Sequence, residues 1–145
     1  EISLGLVGSE MCIRDSSDGD GLGDSSLILP YLHDMPKALA AADLAVFRSG
    51  AIGLAELAVR GIPSVLVPYP YAAEDHQTYN ARIFVQEGAA HMIVDQMLSA
   101  HDLIGEIEMF MANRDLLAQM GERALQLGKP NAAHDIAKLA LSIAK

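Results

Sequence analysis

The chain has 145 residues, a formal net charge of -9, 51% hydrophobic and 20% charged residues, and a single cysteine, Cys12. That composition suits one packed globular domain and excludes a disordered chain. The acidic balance excludes a nucleic-acid backbone or an anionic lipid surface as partner, and one cysteine excludes an internal disulfide or a multi-cysteine metal site.

No apolar run approaches the ~18 residues of a membrane helix. Residues 62–71 are apolar but carry three prolines, the mark of a buried strand leaving into a loop. No basic region followed by an apolar stretch marks a signal peptide, so a cytoplasmic α/β domain is expected. The first residue is Glu1 and not Met. The stretch SLGLVGSEMCIRDS, residues 3–16, follows neither a period of two nor one of 3.6 and resembles the translation of a sequencing-library adapter. It is set aside from fold reasoning. Residues 17–26, SDGDGLGDSS, form a Gly-rich polar linker. Asp18, Asp20 and Asp24 suggest a calcium loop, but Leu22 and Leu29 occupy ligand positions of that loop, so the stretch is a surface loop. The expected organisation is therefore an unstructured segment over 1–26 and a folded domain over 27–145.

From there strands and helices alternate. Residues 27–32 read as a short strand. Asp34 caps a helix that tolerates Pro36 in its first turn and runs to Ala42. Residues 44–47 form a buried strand, 50–60 a helix stopped by Gly61 and Pro63, and 64–67 the next buried strand. After a loop over 68–74, Asp75 caps a helix that reaches Glu87 and ends at Gly88, and 90–94 is a last short strand. Three helices follow. The first has Ser99 and Asp102 as a capping box and the apolar stripe Leu103, Ile104, Ile107 and Met111. The stripe of the second is Leu116, Leu117, Met120 and Ala124. That of the third, behind Asn131 as cap, is Ile136, Leu139, Ala140 and Ile143. The fold class is α/β: a partial Rossmann-like parallel sheet with flanking helices.

Ligands of such sheets bind beyond the carboxyl ends of the strands, which directs attention to loops 31–35, 48–53 and 68–77. In Arg48-Ser49-Gly50-Ala51-Ile52-Gly53, small residues meet a helix start whose free N–H groups suit a diphosphate. Glu56 lies five residues past Ala51, ~7–8 Å further along the axis. That suits a carboxylate accepting hydrogen bonds from the hydroxyls of a ribose. His76, Gln77 and Asn80 place polar groups on the first turns of the next helix, where they can read sugar hydroxyls. Each signal alone is also met by ordinary capping and solvent exposure.

Together the three loops carry a family pattern. The run HDMPKALAAADLAVFRSGAIGLAELAVRGIPSVLVPYPYAAEDHQTYNAR resembles the MurG family of UDP-N-acetylglucosamine transferases of peptidoglycan synthesis, through its RSGA, E, G-P, VP, HQ and NA series. The resemblance covers residues 27–145 and implies the C-terminal, donor-binding domain of a GT-B glycosyltransferase. It implies that Leu32 pairs its backbone with uracil, with Tyr31 beside the base. The substrate-binding stretch would run through Ser49, Gly50, Ala51, Ile52, Gly53, Leu54, Ala55 and Glu56, with Ala51, Ile52 and Gly53 on the diphosphate and Glu56 on the ribose. Gln77 would contact N-acetylglucosamine, supported by His76 and Asn80. At His76 many members of the family have Gln.

The implied reaction is inverting transfer of N-acetylglucosamine from UDP-N-acetylglucosamine to lipid-linked muramoyl-pentapeptide, on the cytoplasmic face of the membrane. No cofactor and no metal are implied. The family's Gly-rich loop and its N-terminal domain, with acceptor site, membrane contact and expected base, have no counterpart in these residues. No residue here is assigned a catalytic role, and the fragment alone is expected to be inactive. Two other readings are a donor subunit of a split UDP-sugar transferase and a non-enzymatic Rossmann-like interaction domain. A subunit should open on Met, a strand and a Gly-rich loop. The Glu56 and Gln77 pair speaks against the interaction domain.

Overall fold

The computed structural model describes residue 29 and residues 31–144. The expected tail and linker over 1–26 lie outside the described residues.

The first described helix, α1 (Met35–Ala41), is capped as its sequence predicts: the Asp34 carboxylate accepts the Lys37 N–H, and Pro36 sits in the first turn. Strand β1 (Ala45–Phe47), helix α2 (Ala51–Arg60), strand β2 (Ser64–Leu66), helix α3 (His76–Gln86) and strand β3 (Ala90–Met92) then alternate, with a short 3-10 turn at Ala73–Asp75 before α3. A second such turn, Asp95–Met97, leads to α4 (Ala100–Ala112), α5 (Arg114–Leu127) and α6 (Ala132–Ile143). The strands form a parallel sheet in the order β1-β2-β3, with Ala45 opposite Ser64 and Ser64 opposite Ala90. Parallel neighbours need a crossover, and α2 and α3 provide it.

Strand alternation sorts the core into two layers. Ala45, Leu66 and Ala90 face a cluster with Leu54, Leu57 and Ala58 of α2 and Ala81 and Phe84 of α3. Val65, Val67 and Ile93 face the opposite cluster, with Phe110 of α4 and Leu117 and Met120 of α5. Helices cover both faces, as the apolar strand runs require. Gly61 ends α2 in the left-handed region at φ 67°. There α2 meets α5 so closely that a Cβ on Gly121 would lie 2.6 Å from the Gly61 carbonyl oxygen.

The structure corrects several sequence expectations. Leu29, Tyr31 and Leu32, at which the strand over 27–32 was expected, lie outside any strand; residues 27, 28 and 30 are outside the described residues. β1 and β2 are each shorter than expected by one residue and β3 by two. In α4 the buried residue is Phe110, which the expected stripe omitted, whereas Ile104 is 55% exposed. The stripe of α5 holds: Leu117, Met120 and Ala124 are buried and Leu116 packs against them. The stripe of α6 does not meet the core. Ile136, Leu139 and Ile143 are 67%, 63% and 74% exposed, because no described element lies against that helix. Asp75 and Asn131 occupy N-cap positions without a side-chain capping bond. Asp75 stands at φ 52°, and its carboxylate instead accepts the Thr78 hydroxyl at 2.5 Å.

Ser64 is fully buried at the amino end of β2, and its hydroxyl has no hydrogen-bond partner among the described residues. An orphaned buried hydroxyl costs about 1–3 kcal/mol. Ser64→Ala is therefore expected to raise the stability by about 1 kcal/mol, read as a higher urea midpoint at unchanged slope. A lower midpoint would mean that the hydroxyl is satisfied.

Candidate functional site

The loops after β1 and β2 lie side by side at the carboxyl edge of the sheet, and residues 31–35 lead into α1, whose Pro36 and Leu39 line a groove with α2. The β1–α2 connection is the tightest. Gly50 is the N-cap of α2 in extended conformation and provides no side-chain cap. The first intrahelical bond runs from the Leu54 N–H to the Gly50 carbonyl at 3.0 Å. The N–H groups of Ala51, Ile52 and Gly53 thus precede the hydrogen-bonded ladder, and the positive end of the helix is left uncapped. Ala51 and Ile52 are exposed. A Cβ on Gly50 would meet nothing within 4 Å, so the backbone there is open to approach. Gly53 is small for a different reason: a Cβ would fall 2.7 Å from Cε1 of the Phe47 ring, which packs under the first turn.

Glu56 sits on the second turn of α2, exposed as its position predicts. With Ala51, Ile52, Ala55, Val59 and Arg60 of α2 and Pro36 and Leu39 of α1 it lines an open, largely apolar groove of about 530 Å³. Its carboxylate is the acidic group of that groove. Leu54 is a core residue and Ser49 is fully buried, so their side chains lie beneath the loop surface. Tyr31 and Leu32 precede α1 at the same end of the helix. Tyr31 is 64% exposed, with its ring edge-on to His33 at 4.9 Å between centroids. Leu32 is half-buried, and among the described residues its backbone groups have no backbone partner.

The β2–α3 loop closes on the same edge. The Asn80 side-chain amide donates to the Ser49 carbonyl at 3.3 Å, which ties α3 to the β1–α2 loop. Gln77 Oε1 accepts the Tyr69 N–H at 2.9 Å, so its acceptor is engaged while its two amide donors are available. His76 Nδ1 lies 2.7 Å from the Ala73 carbonyl, which assigns the ring proton to Nδ1 and holds the ring against its own turn. Glu74 and Asp75, at φ 53° and 52°, are consecutive non-glycine residues in the left-handed region. Backbone of that kind costs on the order of 1 kcal/mol per residue and persists where neighbouring contacts fix the loop.

Sequence reasoning passed over Arg48, Tyr69 and Asp95. Arg48 Nη1 donates to the carbonyls of Val67 at 3.3 Å and Pro68 at 3.2 Å and pairs with the Asp95 carboxylate. Its guanidinium carbon lies 5.8 Å from the Tyr69 ring centroid. The available signal was a cation at the mouth of a parallel sheet, but its partners are 19 to 47 residues away, which no local pattern reveals.

Comparison with known proteins fits this geometry. The model of the glycosyltransferase family 28 C-terminal domain matches residues 7–139. The match begins inside the stretch set aside from the fold reasoning. The UDP-N-acetylglucosamine–N-acetylmuramyl-(pentapeptide) pyrophosphoryl-undecaprenol N-acetylglucosamine transferase of Desulforamulus reducens is 46% identical over 112 residues, covering 77% of this chain and 30% of the relative. The transferase of the same name from Shewanella frigidimarina is 40% identical over 137 residues, covering 94% of this chain and 37% of the relative. The chain spans about a third of the length of these curated relatives. Among solved structures, Acinetobacter baumannii MurG superimposes with a TM-score of 0.81 at 28% identity, over 97% of this chain and 41% of that one. The glycosyltransferase VinC, at 15% identity and a TM-score of 0.65 over 97% of this chain and 41% of that one, shares the fold. The uncapped helix start, the exposed Glu56 and the tethered α3 therefore sit in a known frame: this chain belongs to glycosyltransferase family 28, as its C-terminal domain.

Proposed function

We propose that the chain is the donor-binding part of an inverting transferase that moves N-acetylglucosamine from UDP-N-acetylglucosamine to a lipid-linked muramoyl-pentapeptide. The observation that carries this reading is the first turn of α2. Its three leading N–H groups are uncapped, Glu56 stands one turn further on, and Asn80 and Gln77 of α3 are tethered beside it. A diphosphate accepts from the N–H groups of Ala51, Ile52 and Gly53. The ribose diol donates to Glu56, and the apolar groove walls of α1 and α2 flank that contact. On the family resemblance, the base would meet the Leu32 backbone and Tyr31. The sugar then falls toward α3, where Gln77 donates through its NH2 group and Asn80 holds the loop in register.

Every group named here binds or orients, and none is placed to remove a proton from the acceptor. In this reading, base, acceptor site and contact with the inner face of the membrane belong to the remaining two thirds of such an enzyme. Among the described residues no helix is long and apolar enough to cross a membrane. The similarity to transferases of one printed name favours this reading over a donor subunit of a split enzyme or an interaction domain without substrate.

The test fuses the chain behind the amino-terminal two thirds of the Desulforamulus reducens relative. Expected are UDP binding and sugar transfer by the fusion, and no transfer by the 145-residue chain alone. A folded fusion that binds no UDP would overturn the donor assignment. Turnover by the isolated chain would overturn the division of labour.

A further inference from the structure

We propose that Arg48 is a positioning residue, which with Asp95 locks the loops after β1, β2 and β3 into one rigid floor under the donor site. Only its consequence for UDP rests on the donor assignment above.

In a parallel sheet the last carbonyls of a strand run out of ladder partners. Here the Val67 N–H still donates to Phe47 and the Leu66 carbonyl still accepts from Ile93, and the pairing ends. The carbonyls of Val67 and Pro68 come next, on buried residues, and a buried carbonyl requires a donor. Arg48 fills that need from the neighbouring loop. Its side chain lies across the end of β2, and Nη1 reaches both carbonyls and the Asp95 carboxylate beyond β3. The Tyr69 ring lies alongside the guanidinium and keeps its plane in register. One side chain thereby joins all three strand ends.

The position of Arg48 in the chain gives this its functional weight. The next residue, Ser49, offers its carbonyl to Asn80, and Gly50 caps α2. Tyr69, beside Arg48, gives its N–H to Gln77. Arg48 is thus bonded to residues adjoining both the loop that presents the uncapped N–H groups and the loop that orients Gln77.

Amide hydrogen exchange of the 145-residue chain, with Arg48→Gln, Asp95→Asn and the double variant, tests the lock without any nucleotide. Each single variant should speed exchange at the hydrogen-bonded amides of the two loops, Leu54, Tyr69 and Ala72, by about tenfold, the equivalent of one charge-assisted bond. Exchange in the core of α5 should stay as it is. The double variant should show no more than the larger single effect, since both residues act through one interaction, and Asp95→Glu should restore most of the protection. Asp95→Asn is nearly isosteric, so it keeps the test valid if Arg48→Gln disturbs folding. Unchanged exchange in both loops, or effects that sum in the double variant, would overturn the proposal. In the fusion, UDP affinity should fall about tenfold in Asp95→Asn. Loss of UDP binding in Arg48→Gln with unchanged loop exchange would mean that Arg48 touches the nucleotide itself, which also overturns the lock. Failure of the unsubstituted fusion to bind UDP would remove the donor assignment and leave the exchange result standing.

Discussion

Glu56→Gln is expected to weaken UDP binding by roughly ten- to a hundredfold while the fold stays intact. A charge-assisted hydrogen bond contributes about 1.5–3 kcal/mol, and about 1.4 kcal/mol corresponds to a factor of ten in affinity. Gln keeps the shape of the side chain but turns one acceptor oxygen into a donor, so one ribose hydroxyl loses its partner. The side chain is exposed at the rim of the groove, so the change removes nothing from the core. The same loss should appear for UDP and for UDP-N-acetylglucosamine, because the contact is with ribose. Gln77→Ala should behave differently. It removes the NH2 group aimed at the sugar, and with it discrimination between UDP-sugars, at nearly unchanged UDP affinity. Calorimetric titration of the fusion and its two variants separates these cases. Equal UDP affinity in Glu56→Gln and the parent would take Glu56 out of the site.

Gly121→Ala is expected to destabilise the domain markedly through the addition of a single methyl group. The added Cβ would lie 2.6 Å from the Gly61 carbonyl oxygen and 3.7 Å from Cδ of Pro63. Backbone cannot rotate out of the way as a side chain can, so α5 must move off α2. Overpacking of this kind costs about 1–3 kcal/mol. Gly105→Ala, on α4, is the matched control, because its Cβ would meet nothing within 4 Å. There the gain in helix propensity should stabilise by about 0.5–1 kcal/mol. Urea unfolding of the pair reads the difference directly. A Gly121→Ala midpoint equal to that of the parent would show that α2 and α5 do not cross this closely.

The elements that sequence made legible are those whose signal is local. The Asp34 and Ser99 caps and the stop at Gly61 depend on residues within a few positions of one another. The third helical stripe failed for the opposite reason. Ile136, Leu139 and Ile143 carry the correct period, but period states only that a face is apolar and not what covers it. Apolar content alone suggests a strand over 27–32, but Leu29, Tyr31 and Leu32 lie outside any strand, and Pro30 lacks the N–H a ladder needs. Within the candidate site, Glu56 and the helix start were placed by spacing along one helix. The bonds from Asn80 to Ser49 and from Arg48 to Asp95 join elements far apart in the chain, and spacing carries no information about them. Gly53 shows the same limit: its smallness reads as room for a ligand, and the structure gives that room to the Phe47 ring.

The uncapped start of α2 also governs how an anion arrives, as distinct from how it is held. The chain carries a formal net charge of -9, and Arg48, beside the first turn of α2, is already paired with Asp95. Attraction at a helix terminus falls off within about one turn, whereas the net charge acts over a Debye length of roughly 8 Å at physiological ionic strength. An approaching diphosphate therefore crosses a repulsive field before it meets the N–H groups. Basic clefts accelerate capture of anions and lose that advantage as salt is added. On the proposed donor assignment, added salt screens the outer repulsion first and leaves the short-range hydrogen bonds in place, so association of UDP is expected to quicken with ionic strength.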